Sequence, residues 1–544
     1  MCPQQDVQGK AHRIPKNVNA WILGSSLASL ASAVHLISDA NVPASQIHIL
    51  ESDSTPGDGI TSTGDPVNGY DHRPGCLPSF NDSRMEKLLA LVPSENDYRR
   101  TVLKDMKDLY GNEACQDAPF THTLVQGDHG AKRMNINELG LSLKDRMKLI
   151  VLLLKSEDSL SRKRIDQLFN GSFFNSKLWV VISTMLRNNR FTFQPWHSAA
   201  EFRRCLRKYL HEFRGLNAKR PLDCTQFNQF ESIILPIIHF LQNKGVDFRL
   251  RTRVMDIVSH SDGRAKSIVA IRVLRNGSND TITVCDDDIV IVSLGSVTSG
   301  SISGTNSCPP ILKTMIAEDA LDENWSLWLN LGTKDPRFGD PYNFCTRVTE
   351  SRLETFTVTL KNTEFFERFI NLTCDEPGRG SLVALKDSTW KISICLPRQP
   401  FFSHQPDNIQ TFWGYGLCPE CEGRFVKKPM LACSGKEIMT EILMQLGFPL
   451  ESTLSNSITI PCVMPRRTAS LLPRGSGDRP NVIPDEMANL AVIGQFAEIS
   501  DEPTVSMDYG VLGAQLAVSR LMGLHQEREK TRVQLSFSFL DLLF

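Results

Sequence analysis

The pattern of hydrophobic and polar positions is clearest near the start of the chain. Residues 20–23 form a short apolar run, Gly24, Ser25 and Ser26 interrupt it, and residues 27–37 carry mostly small or apolar side chains at helical spacing. Residues 46–50 are largely apolar and lead to Glu51. This order predicts a strand, a tight turn, a helix and a second strand, which together make a βαβ unit.

The middle of the chain changes from helical to strand patterns. Residues 83–245 are predicted to be mainly helical, and within residues 230–241 the apolar positions recur every three or four residues before Gly245 ends the helix. Residues 246–300 return to strands. Among them, residues 289–293 are a β-branched run typical of a strand buried on both faces of a parallel sheet. We therefore expect this segment to rejoin the sheet that the βαβ unit begins.

The later segments predict a second domain and a return to the first. Residues 301–460 mix strands with an amphipathic helix at 435–446, as expected of a substrate or lid domain. A buried strand then meets Gly494, and residues 509–519 form a helix of small apolar residues. The predicted organisation is a tail at 1–17, a βαβ part at 18–82, a helical region at 83–245, return strands at 246–300, a mixed domain at 301–460, a completing segment at 461–520 and a C-terminal segment at 521–544.

Composition narrows the class of protein. A chain of 544 residues is too long for one compact core and predicts two or three domains. The formal net charge of -1 gives no global field to attract nucleic acid, so a nucleic-acid-binding class is disfavoured. The 14 cysteines are irregularly spaced, the N-terminus lacks the apolar run of a signal peptide, and no apolar stretch is long enough to span a bilayer. We expect a reduced, cytoplasmic setting.

The βαβ unit also carries candidate chemistry. In such a unit the helix N-terminus offers free N–H groups to a pyrophosphate, and an acid at the end of the second strand accepts from a ribose hydroxyl. Gly24 and Glu51 match these positions, whereas Ser26 and Ser29 stand where the dinucleotide-binding fingerprint has glycine. Two interpretations remain open at this point, namely a nucleotide site and an ordinary buried βαβ unit.

Further motifs give the chain a resemblance to a known family. Residues 21–94, with Glu51, Pro56-Gly57, Gly69-Tyr70, Arg73 and Gly75, resemble the flavin-binding region of the oleate hydratases, also called the myosin-cross-reactive-antigen (MCRA) family. Matching blocks follow in the same order at residues 140–146, 193–199, 201–204, 227–236, 412–417, 425–430 and 494–498. The resemblance covers roughly residues 18–520.

The resemblance implies a fold, a cofactor and a reaction. The implied fold is α/β of the two-dinucleotide-binding flavoprotein type: a Rossmann-like FAD domain with a largely helical insertion and a mixed α+β substrate domain. The implied activity is addition of water to an isolated double bond of an unsaturated long-chain fatty acid, without net redox change. The implied FAD-binding residues are Gly24, Ser26, Leu27, Ala28, Glu51, Gly59, Arg73, Gly75, Ser296, Gly494 and Asp508.

The chain departs from the family at its proton-handling residues. In an ungapped comparison the two glutamates of the family's loop fall on Leu77 and Ser79, and the tyrosine of its Arg-Arg-Tyr helix falls on Cys205. A leucine cannot transfer a proton. Asp71, His72 and Cys205 are therefore the candidate catalytic residues, and an imidazole such as that of His72 can titrate near neutral pH. The alternatives are a solvated loop pair at Asp71 and His72 and a small core side chain at Cys205.

No metal site is predicted. His197 and Glu201 have the spacing of two ligands on one helix face but lack a third, and Cys418 and Cys421 lack a second Cys pair or a nearby His.

Three hypotheses follow for the function. The first is an FAD-binding relative of the hydratases that hydrates, dehydrates or isomerises a C=C bond of a fatty-acid-like or polyketide-like chain. The second is a flavin oxidoreductase of a hydrophobic substrate, and the third is a non-catalytic lipid-binding protein. The apolar residues 533–544, which follow a basic stretch, predict either a peripheral membrane contact or burial against a second subunit of a homodimer or the helical region.

Overall fold

A computed structural model describes most of the chain. The described residues are 13–57, 62–73, 83–95, 97–111, 123–127, 130–134, 140–184, 192–209, 225–261, 263, 265–312, 321–378 and 382–524. Gly59, Gly75, Leu77, Ser79 and residues 533–544 lie outside them.

The strands, in chain order, are β1 (Ala20–Leu23), β2 (Ile47–Leu50), β3 (Ser62–Asp65), β4 (Gly69–His72), β5 (Thr123–Gly127), β6 (Gly130–Arg133), β7 (Asp247–Arg249), β8 (Thr252–Ser261), β9 (Lys266–Arg275), β10 (Ser278–Thr283), β11 (Ile289–Ser293), β12 (Ile302–Ser303), β13 (Leu353–Leu360), β14 (Val383–Leu385), β15 (Ile392–Cys395), β16 (Gln410–Gly416), β17 (Ser457–Met464) and β18 (Leu490–Ile493).

The α-helices are α1 (Leu27–Ser38), α2 (Ser83–Leu91), α3 (Val102–Gly111), α4 (Leu143–Leu154), α5 (Gly171–Phe174), α6 (Lys177–Thr184), α7 (Ala199–Tyr209), α8 (Leu235–Lys244), α9 (Glu323–Lys334), α10 (Tyr342–Cys345), α11 (Val348–Ser351), α12 (Glu364–Thr373), α13 (Gly435–Leu446), α14 (Leu450–Ser455) and α15 (Met507–Met522).

A five-stranded parallel sheet contains the predicted βαβ unit. Its strand order is β18-β11-β1-β2-β7, and every neighbouring pair is parallel. All residues of β1, β11 and β18 are buried, as expected of a parallel sheet covered on both faces. Because parallel strands end at the same edge, Gly24, Glu51 and Gly494 come to one edge of this sheet, although they are distant in sequence.

Helices α1 and α15 pack closely on each other. A Cβ atom on Gly510 would lie 3.4 Å from the Cβ of Ala28, so the small side chains at this crossing allow the two helices to approach. The sequence predicted both helices, and α15 extends the predicted segment 509–519 at both ends.

A second sheet has eight strands, of which β12 to β16 lie within the segment 301–460 that the sequence predicted to be a mixed domain. Its order is β12-β17-β13-β16-β15-β14-β5-β6. One face packs against α12 and α13 through a core that includes Phe356, Phe412 and Ile438. The other face carries a smaller apolar cluster with Tyr70 of β4 and Phe402. This second face is the one that positions the candidate site.

Two features differ from the helical prediction for residues 83–245. Strands β5 and β6 lie within that range and extend the eight-stranded sheet. In addition, Phe230–Ile234 is a π-helix rather than the first turns of one α-helix, and the N–H of Leu235 bonds to the carbonyl of Phe230. Pro236 has no N–H to continue the α-helical ladder, which explains the wider turn before it. The domain boundaries themselves remain predictions.

Within the described ranges, no helix combines the length and the apolar composition needed to cross a bilayer.

Candidate functional site

The turn after β1 is built around Gly24. Its φ of +91° lies in the region that favours glycine. A Cβ atom there would also lie 3.2 Å from the side-chain oxygen of Asn324 and 3.3 Å from the Cβ of Ser293. The side chains of Asn324 and Ser293 therefore pack closely on the turn, and this packing and the positive φ together restrict the position to glycine.

Ser26 occupies the second glycine position of the fingerprint as a helix cap. Its hydroxyl accepts from the N–H of Ser29 at 3.3 Å and lies 3.0 Å from the hydroxyl of Ser293 at the end of β11. Ser29 is fully buried against the same cap. Both serines thus bond within the protein at the start of α1, where Leu27 and Ala28 are also buried.

Glu51 is buried at the end of β2 and is held by the turn. One carboxylate oxygen accepts from the N–H of Ser25 at 3.0 Å and from its hydroxyl, and the other accepts from the N–H of Asp53 at 3.0 Å. A carboxylate has about four lone-pair sites, so capacity remains for a ribose hydroxyl. The role of Glu51 as ribose ligand stays a prediction.

Sequence reasoning missed the start of α9, which adjoins this turn. The carboxylate of Glu323 accepts from the N–H of Ser52 at 3.3 Å, and Asn324 lies against Gly24. Burial and the negative charges of Glu51 and Asp322 raise the pKa of Glu323 to about 7. Nothing in the sequence between residues 51 and 323 indicates this contact, because only the tertiary fold creates it.

The remaining predicted cofactor residues fall into two groups. Ser296 follows β11 and Gly494 follows β18, so both lie at the same sheet edge as Gly24, and Asp508 is buried in the first turn of α15. Arg73 instead follows β4, where its guanidinium donates to the hydroxyl of Ser303 at 3.2 Å.

The sheet edge fits a dinucleotide. It offers a turn that a Cβ would fill at Gly24, the N-terminus of α1 for a pyrophosphate, and a buried carboxylate at Glu51.

On the second face of the eight-stranded sheet, paired residues form what we call the polar row. Directly paired residues of antiparallel strands share a face. Pairing joins Ser303 to Cys462, Cys462 to Thr355, Thr355 to Tyr415, and Tyr415 to Ser393. The row crosses five strands from β12 to β15. No sequence signal predicts it, because it depends on strand register.

Asp71 joins one end of the polar row. Its carboxylate accepts from the hydroxyl of Ser303 at 2.6 Å and forms an ion pair with Arg73 at 3.5 Å. The second carboxylate oxygen is buried without a hydrogen-bond partner among the described residues. Asp71 is therefore the predicted catalytic candidate whose surroundings leave an acceptor available.

Two inner members of the polar row border a small cavity. Thr355 and Tyr415 line it from the sheet, and Gln495, next to Gly494, lines it from the edge of the parallel sheet. The cavity volume is about 30 Å³, enough for about one water molecule. Burial raises the pKa of the Tyr415 hydroxyl, so this group stays protonated and able to donate. The cavity thus lies between the edge of the parallel sheet and the second face of the eight-stranded sheet.

His72 does not titrate near neutral pH, a possibility that the sequence left open. Complete burial lowers its pKa to about 3, because the charged ring would lose its hydration. Its ring lies edge-on to Phe401 at 4.9 Å, and its Nδ1 is 3.1 Å from the hydroxyl of Ser62. His72 is therefore a neutral part of an apolar site.

Aromatic side chains cover the same face of the sheet. Tyr70 stacks on Phe402 at 4.2 Å between ring centroids, and Phe401 and Trp413 lie close to His72. We call Tyr70, Phe401, Phe402 and Trp413 the aromatic wall. All four side chains are buried, so the aromatic wall gives this face an apolar environment.

Gln229 is a further residue that sequence reasoning missed. Its side chain is 4% exposed, and neither its amide nitrogen nor its amide oxygen has a hydrogen-bond partner among the described residues. It directly precedes the π-helix Phe230–Ile234, and the neighbouring Asn228 donates its N–H to the carbonyl of Phe401 at 2.8 Å. A buried amide without partners is costly, so its donor and acceptor are available to a bound water or a ligand. The π-helix was the only signal, and it is not readable from sequence.

Cys205 lies away from this face, in a separate core. It is fully buried on α7 in the cluster that contains Phe193, Phe202 and Tyr209. A buried cysteine among aromatic rings is typical of a small core residue.

His197 and Glu201 each bond to protein groups. The N–H of Gln194 donates to Nδ1 of His197 at 3.0 Å, while Glu201 accepts from Arg474 at 2.9 Å and Arg479 at 3.0 Å. No group of three metal-ligating side chains occurs in the described part of the chain, where Cys418 and Cys421 are free thiols on one turn.

Comparisons with known proteins agree with this architecture. The chain is 32% identical over 525 residues to an oleate hydratase of Streptococcus pyogenes serotype M49 (strain NZ131), covering 93% of this chain and 86% of that protein. It is 27% identical over 553 residues to a linoleate hydratase of Lactiplantibacillus plantarum, covering 93% of this chain and 94% of that protein.

A solved structure shares the fold. Cyclohexylamine oxidase from Brevibacterium oxydans IH-35A matches with a TM-score of 0.51 at 12% identity, covering 93% of this chain and 99% of that one. At this identity the likeness concerns the fold alone, and it confirms the predicted α/β flavoprotein-type architecture. The model of the MCRA family matches residues 17–519, and the chain therefore belongs to the MCRA family.

Proposed function

We propose that this protein is an FAD-binding hydro-lyase that adds water to a C=C bond of an unsaturated fatty-acid-like chain. The observation that carries the proposal is the match over 93% of the chain to relatives named as fatty-acid hydratases. The aromatic wall supports an apolar substrate, and the cavity beside Tyr415 supports a single positioned water.

FAD is the proposed cofactor at the edge of the parallel sheet. Gly24, Ser26, Leu27 and Ala28 would face its pyrophosphate through the start of α1, and Glu51 would accept from its ribose. Ser296, Gly494 and Asp508 would border its other end. FAD would contribute electrostatically to the site, without net electron transfer.

Asp71 and Tyr415 are the proposed proton-handling residues. Hydration of an unactivated alkene needs an acid for one carbon, a base for the water and exclusion of bulk water. Asp71 has a free acceptor oxygen and Tyr415 a protonated hydroxyl, and both belong to or adjoin the polar row. They would act in place of the family groups that align with Leu77 and Cys205.

Gln229 is the proposed anchor for a polar group of the substrate. Its amide can both donate and accept, which suits a carboxyl, ester or hydroxyl group. The preceding residue, Asn228, donates to the carbonyl of Phe401 in the aromatic wall. A substrate anchored at Gln229 could therefore extend along that wall.

The function is tested by product mass. Purified protein with bound flavin is incubated with a panel of unsaturated fatty acids, including oleate and linoleate. A product heavier by one water supports the hydratase, loss of two hydrogens indicates an oxidoreductase, and unchanged mass with shifted absorbance indicates an isomerase. Because Leu77 and Cys205 cannot replace the family groups directly, we expect oleate itself to react weakly at most.

The residue assignments are tested with matched variants. Asp71→Asn and Tyr415→Phe should each lower the hydration rate by roughly 10²-fold or more, the usual effect of losing a general acid or base. The control is Tyr342→Phe, which removes a hydroxyl from a half-exposed tyrosine of α10. A variant that keeps its flavin spectrum and its full rate contradicts the role assigned to that residue.

We also propose that the chain meets lipid surfaces or a second subunit. The segment proposed for either contact is residues 533–544, most of which are apolar. Deleting them should reduce vesicle binding or dissociate a homodimer while leaving the flavin spectrum unchanged.

A further inference from the structure

Helix α4 exposes an apolar stripe. Leu143, Met147, Val151 and Leu154 are 77%, 54%, 49% and 70% exposed, respectively. Their spacing of four, four and three residues places them on one side of the helix. Twelve large hydrophobic side chains are exposed in the described part of the chain, and these four share one helix, so the stripe is a cluster rather than the usual scatter.

The opposite side of α4 explains why the helix cannot turn the stripe inward. Leu149, Leu152 and Leu153 are buried in the core of the helical region with Phe169 and Phe202. Asp145 is also buried, where its carboxylate accepts from the hydroxyls of Ser142 at 2.6 Å and Ser172 at 3.1 Å. The only carboxylate of α4 therefore faces the protein interior.

Basic side chains flank the stripe. Lys144 is exposed on α4, Lys148 is partly exposed one turn further on, and Lys155, which directly follows the last residue of α4, is also partly exposed. The ammonium of Lys148 lies 5.9 Å from the ring centroid of Phe169, at the border between the stripe and the core. An apolar stripe flanked by lysines is the arrangement of a helix that lies in the plane of a membrane surface.

We propose that the α4 stripe docks the protein onto an anionic lipid surface, with Leu143, Met147, Val151 and Leu154 inserted among the acyl chains and the lysines at the headgroups. Charge complementarity favours this occupant over a second copy of the chain. A two-fold contact through α4 would bring the same lysines of two subunits towards each other, and their positive charges would repel.

The proposed docking would place the protein where its substrate dissolves, and this role rests on the proposed function. Leu471 packs in the same apolar core as the buried side of α4 and also lines the small cavity beside Tyr415. The helical region therefore has α4 on its outer side and the cavity on its inner side. Docking at α4 would thus hold the helical region between the lipid surface and the candidate site.

Vesicle co-sedimentation tests the docking without requiring catalysis. Full-length protein is mixed with vesicles of phosphatidylcholine alone or of phosphatidylcholine with phosphatidylglycerol, at low and high salt. We expect binding to the anionic vesicles that weakens at high salt, and little binding to the neutral ones. Leu143→Ser with Leu154→Ser should lower the bound fraction by about ten-fold.

A matched variant is the control. Ile14→Ser with Ile311→Ser removes two isolated, equally exposed side chains and should bind like the unaltered protein. Equal binding of the α4 variant and the control overturns the proposal, as does failure of the unaltered protein to bind anionic vesicles. If the α4 variant instead turns a dimer into a monomer with vesicle binding unchanged, the stripe is a subunit interface. A protein that binds vesicles through α4 but hydrates no substrate contradicts the proposed function and leaves the docking intact.

Discussion

At the scale of single residues, Ser26 shows how this chain replaces a glycine of the dinucleotide-binding fingerprint. The hydroxyl does not stand free at the turn, because it caps α1 through the N–H of Ser29 and meets Ser293 of β11. A side chain is tolerated at this position because it is bonded within the protein.

We expect Ser26→Gly to keep the flavin. Glycine is a fair N-cap and costs only a few tenths of a kcal/mol, whereas Ser26→Ala loses the cap and should cost about 1 kcal/mol. Flavin-to-protein absorbance after purification should be unchanged or higher in the glycine variant, and the urea midpoint should fall only in the alanine variant. Loss of flavin from the glycine variant would show that the serine hydroxyl itself binds the cofactor.

Glu51→Ala should lower flavin occupancy. The change removes the proposed ribose acceptor and also the acceptor for the N–H groups of Ser25 and Asp53. Glu51→Gln is the matched variant, since its amide oxygen can still accept one of these bonds. We expect occupancy to fall in the order unaltered, glutamine, alanine. Equal occupancy in all three would contradict the placement of the ribose.

At the scale of elements, the hydrophobic pattern correctly predicted the helices and strands whose formation depends on the local sequence. The βαβ unit, α13 and the end of α8 at Gly245 follow from apolar spacing and a glycine cap, and the structure confirms them. The polar row was not predictable, because it needs the register between strands that are distant in sequence, such as the pairing of Ser303 with Cys462. The contact of α9 with Gly24 was not predictable either, because it also joins residues that are distant in sequence.

The start of α9 makes stability depend on pH. The pKa of Glu323 is raised to about 7 in the folded protein from an ordinary 4.5, so the folded state holds its proton more tightly than the unfolded state. Ionisation of Glu323 therefore lowers the free energy of unfolding. This loss is absent below about pH 4.5, grows between pH 4.5 and 7, and is complete above about pH 7. Glu323→Gln removes the ionisation.

We expect the Glu323→Gln variant to exceed the unaltered protein in unfolding free energy by about 2 kcal/mol at pH 8 and by much less at pH 5. Urea titrations at both pH values measure the difference. The same increase in unfolding free energy at both pH values would show that the substitution acts through packing and not through the charge of Glu323.

At the scale of the whole molecule, an ion network joins two parts of the chain that are far apart in sequence. Glu201 and Arg204 belong to α7, whereas Arg474, Arg479 and Glu498 belong to the segment 461–520. Burial alone would raise the pKa of Glu201, but the charges of Arg479, Arg204 and Arg474 outweigh it and lower the pKa to about 2. The spacing of His197 and Glu201, which raised the question of a metal, thus belongs to a long-range contact.

Glu201→Gln should destabilise the whole protein rather than one region. The change leaves the buried guanidinium groups of Arg474 and Arg479 without their shared carboxylate, and breaking a buried pair costs about 3–5 kcal/mol. Because the pKa of Glu201 is depressed, its contribution is fully present above about pH 4.5 and is lost as pH falls towards 2. The urea midpoint of the variant should therefore be well below that of the unaltered protein at pH 7, with a gap that narrows under acid conditions. Glu364→Gln, at a partly exposed helix pair with Arg368, is the control and should change stability by less than about 1 kcal/mol. A Glu201 variant as stable as this control at pH 7 would show that the two parts of the molecule are held together by apolar packing alone.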